Sequence, residues 1–189
     1  MYRMHRFWDD YAYIRPYHPH RHGRNPAFND GDELILRFKE NEGIGLEDAL
    51  ESFSQALREL ALPVGSVLCM IPGHEASESN QEKPMGRVIS KLAESGRFVP
   101  GFDALVRVQT IQKLALGGDH RPSSLIPSLK VNRDLVGSRP VVLLDDVATT
   151  GTSMKVGRQV LEEAGCRVGC LALAETRYTK GVFHGSASP

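Results

Sequence analysis

The chain has 189 residues and equal numbers of basic and acidic side chains, 23 of each, so its formal net charge is zero. That length suits one α/β domain with its own core, and the neutral balance excludes an overall field drawing the chain to nucleic acid or an anionic membrane, leaving only local patches for such contacts. No apolar run is long enough to span a bilayer, and Cys69, Cys166 and Cys170 are an odd set that reads as buried free thiols of a cytoplasmic protein.

Residues 1–31 are rich in Tyr, His, Arg and Pro with little apolar periodicity, and are expected to be irregular. They do not have the pattern of a signal peptide. His18, His20 and His22 alternate, which could set three imidazoles on one side of an extended segment. No cysteine or fixed partner accompanies them, so a metal site competes with plain surface histidines. Arg3, Arg6, Arg15, Arg21 and Arg24 outnumber Asp9 and Asp10. Trp8, Tyr11, Tyr13 and Tyr17 offer either a stacking surface for a base or a small core. Residues 32–39 alternate, with Leu34, Leu36 and Phe38 against Glu33, Arg37 and Lys39, which predicts a half-exposed strand.

Leu46, Ala49, Leu50, Phe53, Leu57 and Leu60 fall at helical spacing, and Pro63 and Gly65 stop that helix. Residues 67–71 read as a buried strand running into the tight turn Pro72-Gly73-His74-Glu75. A second helix is expected over 83–95, with Pro84 admissible only in its first turn and Gly96 at its end. A short strand is predicted over 105–109. Residues 110–134 carry two glycines, two prolines and the cations Lys113, Arg121 and Lys130, the composition of a mobile functional loop. A helix is predicted over 154–164 and a strand over 167–174.

The most informative stretch is residues 141–153. Val141, Val142, Leu143 and Leu144 form a continuous apolar run, as a parallel strand buried on both faces requires. Asp145 and Asp146 fall where that strand ends, the edge at which open α/β sheets bind ligands. Ala148, Thr149, Thr150, Gly151, Thr152 and Ser153 follow, with no bulky side chain and four hydroxyls. Their N–H groups and the start of the next helix suit a phosphate. Two carboxylates would repel that phosphate, but they suit the hydroxyls of a sugar attached to it. A Walker loop would need Gly-Lys-Ser/Thr, and no lysine lies here. A dinucleotide fingerprint would need three spaced glycines, and only Gly151 is present.

The run of apolar strand, two acids and Thr-Thr-Gly-Thr resembles the phosphoribosyl pyrophosphate (PRPP) signature of the type I phosphoribosyltransferases. Arg107, Thr110, Gln112 and Leu114, with Arg121 and Asn132, also resemble the ComF-like and amidophosphoribosyltransferase-like members. The resemblance implies an α/β fold with a mostly parallel central sheet flanked by helices and a small N-terminal hood. On that reading residues 1–45 form the hood, 46–178 the core and 179–189 a tail. It implies transfer of a phosphoribosyl group to a nitrogen acceptor with release of pyrophosphate, dependent on Mg2+. Asp145 and Asp146 would be catalytic, and residues 148–153 would bind the 5-phosphate. Pro72, Gly73, His74, Lys113, Arg121 and Lys130 would take pyrophosphate. Magnesium would be held mostly through the ligand, with Asp145 and Asp146 as its protein donors. The acceptor is a base, amine or nucleotide that the resemblance does not choose. The family also admits a homodimer, or a ComF-like or defence-system effector working with a partner protein in a nucleic-acid or defence system.

Overall fold

The structure is a computed structural model that describes residues 7–20, 23–41, 43, 45–76, 79–112 and 121–177. In chain order, β1 (Ala12–Tyr17) is followed by the helices α1 (Asp30–Glu40) and α2 (Leu46–Glu59), then β2 (Val67–Met70), α3 (Pro84–Ala93), β3 (Val99–Pro100) and β4 (Leu105–Arg107). Next come α4 (Pro122–Leu125), a 3-10 turn (Ile126–Ser128), β5 (Leu129–Val131) and α5 (Arg133–Val136). β6 (Val141–Ala148), α6 (Thr152–Glu163) and β7 (Val168–Thr176) complete the order.

The central sheet has five strands in the order β1-β7-β6-β2-β3, and each neighbouring pair is parallel. β4 and β5 form a separate antiparallel ribbon. The apolar runs of β2, β6 and β7 are explained by burial on both faces. Leu68, Met70, Val142, Leu144, Leu171 and Leu173 meet the core beneath α1, α2 and α3. Their neighbours Val67, Cys69, Val141, Leu143, Val168 and Cys170 meet Met154 and Leu161 of α6. Strand alternation therefore feeds two cores from one sheet. Cys69, Cys166 and Cys170 are free and buried, and burial pushes the thiols of Cys69 and Cys170 up to about 12. Among the described residues no helix is long and apolar enough to cross a membrane.

Two sequence expectations are corrected. Residues 32–39 are helical. Asn29 caps α1: its side chain accepts the Gly31 N–H at 3.0 Å, while the Asp32 carboxylate accepts the Asn29 N–H at 3.1 Å. That reciprocal box commits the segment to a helix. The alternating reading passes over Ile35, yet the buried residues are Asp32, Ile35 and Phe38, three apart. Residues 1–31 also contain β1, an edge strand that pairs with β7 from Ala12↔Leu171 to Tyr17↔Thr176. Pro16 is admissible there because an edge strand needs partners on one side only. Hydrogen bonding across more than 150 positions leaves no local periodicity to read, so this strand is invisible until its partner is known.

The helices expected over 46–60, 83–95 and 154–164 correspond to α2, α3 and α6. Pro84 occupies the first turn of α3. The second half of the 110–134 stretch is built as α4, the 3-10 turn, β5 and the start of α5. Arg3, Arg6, Arg21, His22, Lys113 and Leu114 lie outside the described residues, as does the 179–189 tail. His18 and His20 have separate partners: His18 Nδ1 is 3.1 Å from Asp32, and His20 packs edge-on against Phe28.

Candidate functional site

β2 and β6 lie side by side in register, Val67↔Val141 through Met70↔Leu144. The residues that follow Met70 therefore emerge beside the two acids that follow Leu144. A cavity of about 380 Å³ opens at this carboxyl edge. Its walls include Pro72, Gly73 and His74 from the end of β2, Asp145 and Asp146 from β6, and Ser153 from the first turn of α6. Three stretches singled out in the sequence thus meet at one opening, for the topological reason that adjacent parallel strands end at the same edge.

Each acid is oriented by the next amide. The Asp146 N–H donates to Asp145 Oδ1 at 2.9 Å, and the Val147 N–H donates to Asp146 Oδ1 at 2.7 Å. Burial, and then the charge of Asp146, hold the Asp145 carboxyl well above the ordinary carboxylate range, while the bond from the Asp146 N–H and, more weakly, the charge of Lys39 oppose them. Two adjacent carboxylates at the mouth of a partly apolar cavity favour a polyhydroxylated or cationic ligand group.

The Pro72–Gly73 turn is held from behind by Arg107. Its Nε donates to the Gly73 carbonyl at 2.7 Å, and a terminal nitrogen donates to the Pro72 carbonyl at 3.3 Å. Its other terminal nitrogen donates to Ser128 Oγ, which in turn donates to the Leu125 carbonyl. Arg107 is thus committed to two backbone carbonyls and a serine hydroxyl. Below the turn, the Ile111 N–H donates to the His74 carbonyl at 2.9 Å. His74 Nε2 lies 3.3 Å from Glu75 Oε1.

The loop after β6 curls tightly. Thr150 and Thr152 hydroxyls are 2.9 Å apart, and the Thr149 hydroxyl is 3.2 Å from that of Thr176 on β7. Ala148 is buried, while Thr149 and Thr150 are exposed. Gly151 is the N-cap of α6 and adopts φ 72°, the left-handed region that glycine tolerates best. Gly151 has no side chain to cap α6, and the first amide of the helix, Thr152 N–H, donates to Thr150 Oγ1 at 3.4 Å.

Other expected site residues lie elsewhere. Lys130 is exposed on β5, whose alternation turns the adjacent Leu129 into the cavity and Lys130 away from it. Arg121 is the N-cap of α4 and does not line the cavity. Among the described residues the cavity's lysines are Lys39, near the end of α1, and Lys83, the N-cap of α3. Phe38 and Asn41 join Lys39 at the wall. Sequence reasoning misses this group because it follows from reading 30–40 as a helix, and the Asn29–Asp32 box is the signal that would have given it.

The hard oxygens of Asp145 and Asp146 fit a magnesium ion. Among the described residues no three His, Cys, Asp or Glu side chains gather as a metal-binding group, so such an ion would complete its shell with ligand oxygens and water, as magnesium commonly does in phosphate sites. In comparisons with known proteins, no family model matches the chain and no curated protein matches it.

Proposed function

We propose that this chain binds PRPP and transfers its phosphoribosyl group to a nitrogen acceptor, as a type I phosphoribosyltransferase-like enzyme. The observation that carries the reading is the convergence of the acid pair Asp145–Asp146 and the Pro72–His74 turn on one cavity at the ends of β2 and β6, with the hydroxyl loop next to it. A ligand suited to all three carries sugar hydroxyls, a terminal phosphate and a second anionic group.

In this reading the loop of residues 148–153 and the N–H groups opening α6 hold the 5-phosphate. Asp145 and Asp146 accept hydrogen bonds from the ribose hydroxyls. The N–H groups and His74 of the 72–74 turn receive the pyrophosphate, with Lys39 and Lys83 supplying positive charge in place of Lys130. The acceptor nitrogen's lone pair forms the new bond to C1 as the C1–O bond breaks, and that oxygen's electron pair leaves with pyrophosphate. The acceptor's surplus proton passes to solvent. C1 becomes cation-like on the way, and the two carboxylates lower the energy of that charge. Magnesium, when bound with the ligand, offsets the charge of the leaving pyrophosphate. The end of α1, with Phe38, Lys39 and Asn41, serves as the hood over the acceptor. Most of the rate comes from positioning.

Calorimetry with PRPP and magnesium tests the assignment. The double variant Asp145→Asn/Asp146→Asn is expected to fold and to lose PRPP binding. A double variant that binds PRPP as the parent does would refute the role given to the acid pair.

A further inference from the structure

Gly151, at the turn of the hydroxyl loop, does not face open space. A Cβ built on it would lie 2.7 Å from a ring carbon of Tyr11. Tyr11 directly precedes β1, and its ring packs on the α6 side of the sheet. The ring is itself held in place, since its hydroxyl donates to Glu175 Oε1 at 3.0 Å. Glu175 Oε2 takes an ion pair from Arg177 at 2.8 Å, and Arg177 donates on to the Tyr13 hydroxyl at 2.5 Å. β6 and β7 pair Ala148 with Glu175, so this chain of contacts lies alongside the start of the loop.

The same N-terminal segment is strapped to α6. Arg158, on the second turn of that helix, donates to the carbonyls of Asp10 and Trp8. Lys155 lies 4.0 Å from the Asp10 carboxylate. The stretch that delivers Tyr11 is therefore fixed to the helix that the hydroxyl loop leads into.

We infer that Tyr11 is a positioning residue for the 5-phosphate loop: its ring, anchored through Glu175, braces Gly151 in the left-handed conformation that brings the loop's N–H groups together. Glycine enters left-handed and right-handed backbone about equally readily, so a ring packed on Gly151 narrows that freedom rather than holding strain, and here the ring comes from the far end of the chain. The inference rests on the proposed function, because it assumes that residues 148–153 receive the sugar phosphate.

Binding of two probes separates the cases. Ribose 5-phosphate reports the hydroxyl loop, and pyrophosphate reports the 72–74 turn. Tyr11→Ala is expected to weaken ribose 5-phosphate by about tenfold or more, the scale of a lost positioning contact, and to leave pyrophosphate affinity unchanged. Tyr11→Phe keeps the ring and is expected to recover most of the loss. If Tyr11→Ala does not fold, as judged by far-UV circular dichroism, Tyr11→Leu takes its place, since it keeps apolar bulk without the flat ring. Parental ribose 5-phosphate affinity in the Ala or Leu variant overturns the inference alone. So does an equal loss of both probes, the mark of a general structural effect, or a Phe variant as weak as Ala. A parent that binds neither probe overturns the proposed function as well.

Discussion

Asp145 combines two demands that oppose each other. Its carboxyl is pushed well above 3.8, the value of an ordinary aspartate, first by burial and then by the charge of Asp146. A carboxyl with a higher pKa in the folded state binds its proton more tightly there. Its favourable contribution is complete below the unfolded value and is lost as pH rises through the folded one. Asp145→Asn removes this ionisation and keeps an oxygen to accept the Asp146 N–H. The variant should be more stable than the parent at pH 7–8, by about 1.4 kcal/mol for each unit of upward shift, with the advantage fading toward pH 4. Urea unfolding across that range measures it, and an advantage that does not change with pH would show that ionisation is not its source. At Gly151 the expectation is the reverse. Gly151→Val places a branched side chain at φ 72° and against Tyr11. Its Cβ would meet the aromatic ring, 2.7 Å from the nearest ring carbon. It should cost about 1–3 kcal/mol of stability and abolish ribose 5-phosphate binding. Parental affinity in calorimetry would contradict the loop assignment.

At the scale of elements, α1 shows how a single buried acid sets both a helix and a wall of the cavity. Asp32 is fully buried. It accepts the Asn29 N–H, the His18 N–H at 3.0 Å and a contact from the His18 ring. It therefore ties the end of β1 to the start of the helix that delivers Phe38, Lys39 and Asn41. Asp32→Ala removes one half of the capping box, leaving Asn29 as the N-cap, and leaves two backbone donors without this acceptor, and should cost about 2–3 kcal/mol. A change below about 0.5 kcal/mol in urea unfolding would be that of an ordinary surface substitution and would contradict this account. The same element marks the limit of what could be read beforehand. The strand, acid pair and hydroxyl loop of residues 141–153 were legible because they are contiguous, so strand, turn and helix signals fall in one window. α2, α3 and α6 were legible because helical spacing repeats within a dozen residues. β1, Tyr11, Lys39 and the role of Arg107 were not. Their places are set by partners far along the chain, and a local pattern carries no record of those.

Across the whole molecule, the sheet closes at one side with β1. Phe7 fills the space over Gly169, where a Cβ would lie 2.1 Å from its ring, and its carbonyl accepts the Cys170 N–H at 2.8 Å. Removing residues 1–17 would uncover the edge of β7 and this apolar seat together. An uncovered strand edge is a template for pairing with another chain. The truncated protein should unfold at lower urea than the parent and elute larger on size exclusion. A monomer of parental stability would mean that β1 adds little to the sheet.

Tyr11 and Glu175 are 164 residues apart. During synthesis the aromatic N-terminal stretch leaves the ribosome long before β7 exists to receive it, and such long-range parallel pairing is slow to form. A nascent chain can hold β2, β6, the acid pair and the hydroxyl loop while Gly151 still has no ring against it. The brace on that loop arrives only once β7 has been made, so the order of translation itself withholds a finished loop from a chain that still lacks that strand.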